Sequence, residues 1–377
     1  MRLMISGGGT GGHVYPALAV VAWLTTDTER SEPLGSHLSA VRWAGCASGV
    51  ERTLVGRVGI PFEPIEAVGL RGKKLWTVPT GLWTMLSGFR QARRLIDGFR
   101  PDVLFVTGGY VCGPVALAAW RAGVPTMIYL PDIEPGLMVK TMARFARRVA
   151  VTAPPSLRFF PPGQAVVTGY PVRQNLFERD RTRARQQLGL TARSANGDDL
   201  PVLLVFGGSQ GSRSINRAVS DGVLALLSVA QVVHVAGPGD VEWVQARRGS
   251  LPNHMRAHYY VHDYLDDEMV DALLAADLTV ARAGASTLGE LPAAGLPGVL
   301  VPYPYAGAHQ WANARYLVGG GAAVIVADAD LGTQLVPTVL DLLVDDARRA
   351  AMSQAALALA RPDAAECIAR ELRDLAL

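Results

Sequence analysis

The chain has 377 residues, 49% hydrophobic and 18% charged, which exceeds one ordinary domain, suits two with separate cores and excludes a disordered chain. No run approaches the roughly 20 apolar residues of a membrane-spanning helix, and the first six residues run into glycines without a signal peptide's apolar core, so a cytoplasmic protein is expected. The net charge of +3 is uneven, with 18 Lys/Arg against 10 Asp/Glu over residues 1–172 and 18 against 23 over 173–377, so the first part suits an anionic partner, whether nucleic acid, lipid or a phosphorylated substrate.

Residues 2–6 read as a short apolar strand ending in a glycine turn, and residues 16–24 as a buried helix with Pro16 in its first turn. The pattern returns with strands at 41–44, 103–106 and 126–129, each separated by room for a helix. A hinge is expected near residue 171, where Gly169-Tyr170-Pro171-Val172-Arg173 has turn chemistry. Residues 178–187 are charged and helical, and 194–199 form a polar loop. From Pro201 the same grammar restarts, with a strand at 202–206, glycines from 207 to 211 and a helix around 215–219. Further strands follow at 232–235, 259–261, 278–280 and 298–301.

Such alternation predicts an α/β fold of doubly wound, Rossmann-like parallel sheets. The expected domains are residues 1–171 and 172–359, with a C-terminal helix at about 360–377 packing back on the first. The three cysteines, Cys46, Cys112 and Cys367, are far apart and read as buried thiols rather than a disulfide framework or metal site.

A glycine-rich turn between strand and helix lets backbone N–H groups approach a phosphate, and the chain has two, at 7–12 and 207–211. Each alone is a weak signal that a tight turn would also explain. A dinucleotide dehydrogenase wants an acidic residue just after the second strand. Here that strand ends Trp43-Ala44-Gly45-Cys46, with no carboxylate before Glu51. A P-loop fails too, because neither cluster is followed by Lys-Ser or Lys-Thr. None of these strand candidates ends in an Asp-X-Asp pair that could hold a diphosphate-bound metal, and His258 with His262 reads as a surface pair, so no metal or cofactor is expected.

Taken together and in order, the motifs resemble those of the MurG family, transferases that add N-acetylglucosamine to the lipid-linked muramyl-pentapeptide precursor of peptidoglycan. They are Gly8-Gly9-Thr10-Gly11-Gly12-His13 with Pro16, then Thr107-Gly108-Gly109-Tyr110, then Gly207-Gly208-Ser209-Gln210-Gly211. Arg282-Ala283-Gly284-Ala285-Ser286-Thr287-Leu288-Gly289-Glu290 follows, then Pro302-Tyr303-Pro304 with His309, Gln310 and Asn313. The resemblance spans nearly the whole chain and implies two domains facing a cleft in the GT-B arrangement.

It also implies UDP-N-acetylglucosamine as donor, held mainly by the second domain. Glu290 would accept from both ribose hydroxyls. Ser209 at a helix start would meet the diphosphate, and Arg173 would neutralise charge as UDP leaves. Backbone at Leu265 would meet the uracil, residues 285–289 would line the donor site, and Gln310 would bond sugar hydroxyls. Thr10, Gly11 and Gly12 of the first turn would face the acceptor's pyrophosphate. His13 is the candidate base in an inverting reaction, since imidazole exchanges protons near neutral pH.

A lipid acceptor implies a peripheral protein on the cytoplasmic face of an anionic bacterial membrane, with no nucleic-acid partner. Lys73, Lys74, Leu75 and Trp76, with Leu82 and Trp83, combine cationic and aromatic residues suited to such an interface. The match departs from the family in two places. Where the family has His-Glu-Gln-Asn, this chain has Tyr129-Leu130-Pro131-Asp132, and Tyr170 replaces an Asn before Pro-Val-Arg. The first departure removes a carboxylate at 130 and puts Asp132 where an amide would meet the ligand. These changes leave open a related transferase with another lipid acceptor or sugar. A nucleotide-sugar sensor and a dehydrogenase are disfavoured by the residues retained.

Overall fold

A computed structural model describes residues 1–9, 11–26, 38–67, 78–178, 180–190, 199–305 and 309–377, with backbone alone over 78–82. The chain divides into two compact units, Met1–Val172 with Asp363–Leu377, and Arg173–Pro362.

The first unit is built on seven strands, β1 (Arg2–Gly7), β2 (Ala40–Gly45), β3 (Phe62–Pro64), β4 (Val103–Gly108), β5 (Thr126–Leu130), β6 (Arg148–Val151) and β7 (Ala165–Val167). They form one parallel sheet in the order β3-β2-β1-β4-β5-β6-β7. Connecting helices are α1 (Gly11–Thr26), α2 (Val50–Arg57), α3 (Val78–Phe99), α4 (Cys112–Arg121) and α5 (Leu137–Met142). Leu3, Met4 and Ile5 of β1 are fully buried, as both faces of a helix-covered parallel sheet must be.

The second unit opens with α6 (Arg181–Gln187) and carries β8 (Val202–Phe206), β9 (Gln231–Val235), β10 (Tyr259–His262), β11 (Leu278–Ala281), β12 (Gly298–Leu300) and β13 (Ala323–Ile325). Their order is β10-β9-β8-β11-β12-β13, again all parallel. Its helices continue with α7 (Arg213–Asp221), α8 (Val223–Leu227), α9 (Val241–Gly249), α10 (Asn253–Arg256) and α11 (Glu268–Ala275). After these come α12 (Thr287–Ala294), α13 (His309–Gly319), α14 (Val336–Val344) and α15 (Asp346–Leu359). The last helix, α16 (Ala364–Ala376), belongs to the first unit and packs on α1. There the Arg373 guanidinium lies 5.2 Å from the Trp23 ring centroid, and Glu371 pairs with Arg148 at 2.8 Å.

Three local expectations change. Helix α1 begins at Gly11, so Pro16 lies inside it rather than in its first turn. Proline supplies no N–H for the Gly12 carbonyl one turn back, and the Tyr170 hydroxyl donates to that carbonyl instead, at 3.2 Å. Of the three cysteines only Cys112 is buried, while Cys46 and Cys367 are partly exposed. Strands β3, β6, β7 and β13 were not expected. Three of these four have only three residues, too few to show a pattern of their own.

Candidate active site

In an open parallel sheet, a crevice forms at the carboxyl ends of the two strands where the order reverses. In the first unit these are β1 and β4, which end at Gly7 and Gly108. Both expected motifs of this unit therefore share one switch point. Gly8 N–H donates to the Gly108 carbonyl at 3.0 Å. Gly108 and Gly109 take φ of 121° and 98°, and a Cβ on Gly109 would lie 2.6 Å from the Gly8 carbonyl oxygen. Only glycine fits there. A Cβ on Gly108 would lie 2.8 Å from the His13 ring, so that ring lies flush against the second turn.

His13 sits in the first turn of α1, and its Nδ1 is 3.1 Å from the Gly8 carbonyl oxygen. A carbonyl only accepts, so Nδ1 carries the proton and Nε2 is the basic nitrogen. The first turn is less open to an anion than its sequence suggests. Gly8 N–H is spent on Gly108, and Gly9 N–H donates to Glu51 Oε2 at 3.1 Å. Gly11 and Gly12 open α1, where first-turn N–H groups lack partners within the helix. Thr10 lies outside the described residues. Cys112 Sγ donates to the Gly108 carbonyl at 3.0 Å, and burial pushes this thiol up to about 11.

The family departures look different in three dimensions. Tyr129 is buried, its hydroxyl 3.0 Å from that of Thr152 and donating to the Gly169 carbonyl at 3.3 Å. Burial drives its ionisation well above the ordinary tyrosine range. The rings of Tyr129 and Tyr170 meet edge to face, with centroids 6.2 Å apart. Leu130 lies in the apolar core. Asp132 is half-buried just past β5.

In the second unit the reversal falls between β8 and β11, which lead into the 207–211 turn and the 282–290 segment. Gly208 and Gly211 take φ of 91° and 75°, and Gly211 N–H closes the turn on the Gly208 carbonyl at 2.9 Å. Ser209 is exposed on this turn, but the helix starts only at Arg213, so Ser209 is not its first residue. Glu290 lies in the first turn of α12 and is half-buried. Desolvation holds its carboxyl above the ordinary range, partly offset by the Ser286 hydroxyl and the Arg173 guanidinium.

Arg173 donates to the Asp266 carbonyl at 3.2 Å and pairs with Asp267 at 3.4 Å, next to the buried Leu265. Ala285 and Ser286 are partly exposed, whereas Thr287, Leu288 and Gly289 are buried. The Thr287 hydroxyl donates to the Gly284 carbonyl at 2.7 Å. Gln310 Oε1 accepts the Tyr303 N–H at 2.9 Å, and Asn313 Nδ2 donates to the Ala283 carbonyl at 3.1 Å.

Arg282, which the sequence motif alone gives no role, ties this switch point together. Its guanidinium pairs with Asp328 at 2.6 Å, donates to Ser214 Oγ at 2.8 Å and lies over the Tyr303 ring at 5.3 Å. A planar fork with several donors suits this task. The sequence cue was its position one residue past β11. Lys73, Lys74, Leu75 and Trp76 lie outside the described residues, as does the Leu82 side chain. Trp83 stands 69% exposed on α3, with the Arg90 guanidinium 5.9 Å from its ring. Among the described residues no group of three or more acidic, His or Cys side chains could hold a metal.

Two parallel sheets, each with a glycine-rich turn at its switch point, form the two-domain framework on which nucleotide-sugar glycosyltransferases are built. Residues 3–151 match the glycosyltransferase family 28 N-terminal domain, and residues 202–368 match the family 28 C-terminal domain. A relative from Roseiflexus sp., 41% identical across 100% of this chain and 95% of its own, is named UDP-N-acetylglucosamine–N-acetylmuramyl-(pentapeptide) pyrophosphoryl-undecaprenol N-acetylglucosamine transferase. One from Desulforamulus reducens with the same name is 37% identical over 97% of this chain and 96% of its own. The crystal structure of Acinetobacter baumannii MurG superposes with a TM-score of 0.73 at 26% identity, covering 99% of each chain. The chain belongs to glycosyltransferase family 28 and, within it, to the MurG transferases.

Proposed function

We propose that this chain transfers N-acetylglucosamine from UDP-N-acetylglucosamine to undecaprenyl-pyrophosphoryl-linked muramyl-pentapeptide, with inversion at the anomeric carbon. The observation that carries this is the partly desolvated Glu290 carboxyl in the first turn of α12, within the electrostatic reach of Arg173, in a chain whose full-length relatives are named for this transfer. Glu290 accepts from the ribose hydroxyls, residues 265 and 285–289 line the nucleoside, Ser209 meets the diphosphate, and Gln310 meets the sugar. Arg173 exchanges its exposed partner Asp267, a pairing worth little in water, for the leaving diphosphate.

On the acceptor side, His13 Nε2 takes the hydroxyl proton. The oxygen keeps its electron pair and bonds to the anomeric carbon as the bond from that carbon to the UDP oxygen breaks. Thr10, Gly11 and Gly12 meet the acceptor's pyrophosphate. A different lipid acceptor is the second reading, favoured by the Asp132 carboxylate where an amide stands in the family.

The protein is a peripheral one on the cytoplasmic face of an anionic membrane. No described helix is long and apolar enough to cross a membrane. Support comes from exposed Trp83 and Leu86 on α3 and Leu137 and Met138 on α5. Met85 and Met138 both lie within 4 Å of where a Gly113 Cβ would stand, so these helix ends adjoin. Lys73, Lys74, Leu75, Trp76 and Leu82 are the further membrane contacts that the family resemblance implies.

The test is transfer of radiolabelled N-acetylglucosamine to the lipid-linked muramyl-pentapeptide by the purified chain. Intact UDP binding without transfer to that lipid would overturn the acceptor assignment. His13→Ala is expected to lower turnover by roughly 10²-fold or more with donor affinity nearly unchanged, and near-normal turnover removes His13 from the base role.

A further inference from the structure

Glu51 lies at the start of α2 with no exposed surface, a place where an ordinary helix carboxylate would point into water. Its side chain instead turns inward. Oε2 accepts Gly9 N–H at 3.1 Å and Oε1 accepts Cys46 N–H at 3.0 Å. Three glycines make room for it. A Cβ on Gly8 or Gly49 would lie 2.2 Å or 2.0 Å from its carboxylate, and one on Gly45 would lie 3.1 Å from its Cγ. Burying a carboxylate is strongly unfavourable before its hydrogen bonds are counted, and here the turns that precede α1 and α2 and the end of β2 are all shaped around it.

The Gly9 N–H and the Gly8 carbonyl belong to one peptide group. That peptide donates to Glu51 through its nitrogen and accepts from His13 Nδ1 through its oxygen. An amide whose N–H is bound by an anion becomes more electron-rich at oxygen, because successive hydrogen bonds polarise one another. The order is therefore carboxylate, peptide, imidazole. We propose that Glu51 is a positioning residue for the transfer reaction, acting through the Gly8–Gly9 peptide to fix the His13 tautomer and to stabilise the imidazolium formed when Nε2 takes the acceptor's proton. This rests on His13 being the base.

Among the described residues, Cys112, Tyr170 and Tyr15 stand around the turn and do not supply the charge. Cys112, from α4, is neutral because burial pushes its thiol up to about 11. Tyr170 gives its hydroxyl hydrogen to the Gly12 carbonyl, and Tyr15 lies on α1 itself, its ring 3.1 Å from where a Gly11 Cβ would stand.

The experiment compares Glu51→Gln, Glu51→Asp and His13→Ala in the full chain, after circular dichroism has checked their folding. Glu51→Gln keeps the shape and removes the charge. It is expected to lower kcat roughly 10-fold with KM for UDP-N-acetylglucosamine within about twofold of wild type. The acid limb of its kcat/KM–pH profile should move to lower pH by roughly half a unit or more, because the protonated imidazole loses a neighbouring anion. Glu51→Asp, which retains the charge, should leave that limb near the wild-type position even where turnover falls. In the His13→Ala background, Glu51→Gln should cost less than twofold. An unmoved acid limb in Glu51→Gln, or a full additional loss on His13→Ala, overturns the relay while leaving His13 as base. Near-normal turnover of His13→Ala alone overturns the base reading itself. If Glu51→Gln does not fold, the His13 imidazole resonances in the Glu51→Asp and wild-type chains are followed by NMR. An Nδ1–H tautomer predominating in both chains supports the relay, and a predominantly Nε2–H imidazole in the wild-type chain overturns it.

Discussion

Replacing Glu290 by Gln tests the donor site most directly, because it keeps size and one acceptor oxygen while removing the charge. The carboxyl is already partly desolvated, with Ser286 and Arg173 offsetting part of that cost. A hydrogen bond to a charged group contributes about 1.5–3 kcal/mol, and the amide oxygen can replace only one of the two bonds to a ribose diol, so UDP binding should weaken by roughly 10- to 150-fold. Titration calorimetry with UDP alone reads this without any acceptor. The sign of the pH effect is also set by the raised carboxyl. Protonation removes an acceptor, so wild-type UDP affinity should fall as pH drops through a value above the ordinary glutamate range, while the Gln variant stays flat relative to it. Folding responds the opposite way. A group whose folded-state value is raised stabilises the fold below its unfolded value and loses that contribution as pH rises through the folded one. Affinity within threefold of wild type in Glu290→Gln, or parallel pH profiles for the two proteins, would refute the ribose role.

Two further outcomes follow from the surface and the core. Trp83 exposes most of its ring, so Trp83→Ser should weaken partition onto phosphatidylglycerol vesicles roughly tenfold while leaving UDP affinity unchanged. Equal sedimentation of the two proteins with vesicles removes Trp83 from the membrane surface. His234 is buried between the Tyr259 hydroxyl at 2.8 Å and Asn216 Oδ1 at 3.0 Å, and desolvation lowers its ionisation to about 3. The unfolded chain takes up this proton near pH 6.5 and the folded chain only near 3, so stability falls on acidification between those values, by about 1.4 kcal/mol per pH unit. His234→Gln should flatten that slope in hydrogen exchange across β9, and an unchanged slope excludes His234 as its source.

How much the sequence disclosed follows from where each signal is stored. β1 and β8 are visible because both faces of a parallel strand are covered, which leaves apolar runs that end in glycines. β3, β7 and β13 have three residues each and owe their strand character to register with a neighbour, Trp43 against Phe62 for example. The start of α1 was misplaced because Pro16 is a first-turn signal, and the hydroxyl that makes an interior proline tolerable comes from residue 170. Glu290 could be found because its motif is local. Glu51 could not, since a charge at the start of a helix reads as solvent-facing and its burial depends on glycines at 8, 45 and 49 converging in space.

The same reasoning changes what the family departures mean. In sequence, Tyr129, Leu130 and Tyr170 are separate losses of acceptor chemistry. In the structure, Leu130 faces the core, and the two tyrosines form one unit in which Tyr129 bonds the Gly169 carbonyl and packs against the Tyr170 ring. Tyr170 in turn holds the Gly12 carbonyl that Pro16 leaves open, at the helix end carrying His13. Asparagine at 170 is too short to span what the phenol spans, so that change alone removes this bond from the half-buried Gly12 carbonyl, at a cost of about 1 kcal/mol. The tyrosines are thus accounted for by packing beneath His13. The departure left with consequences for the acceptor is Asp132, a half-buried carboxylate just past the end of β5.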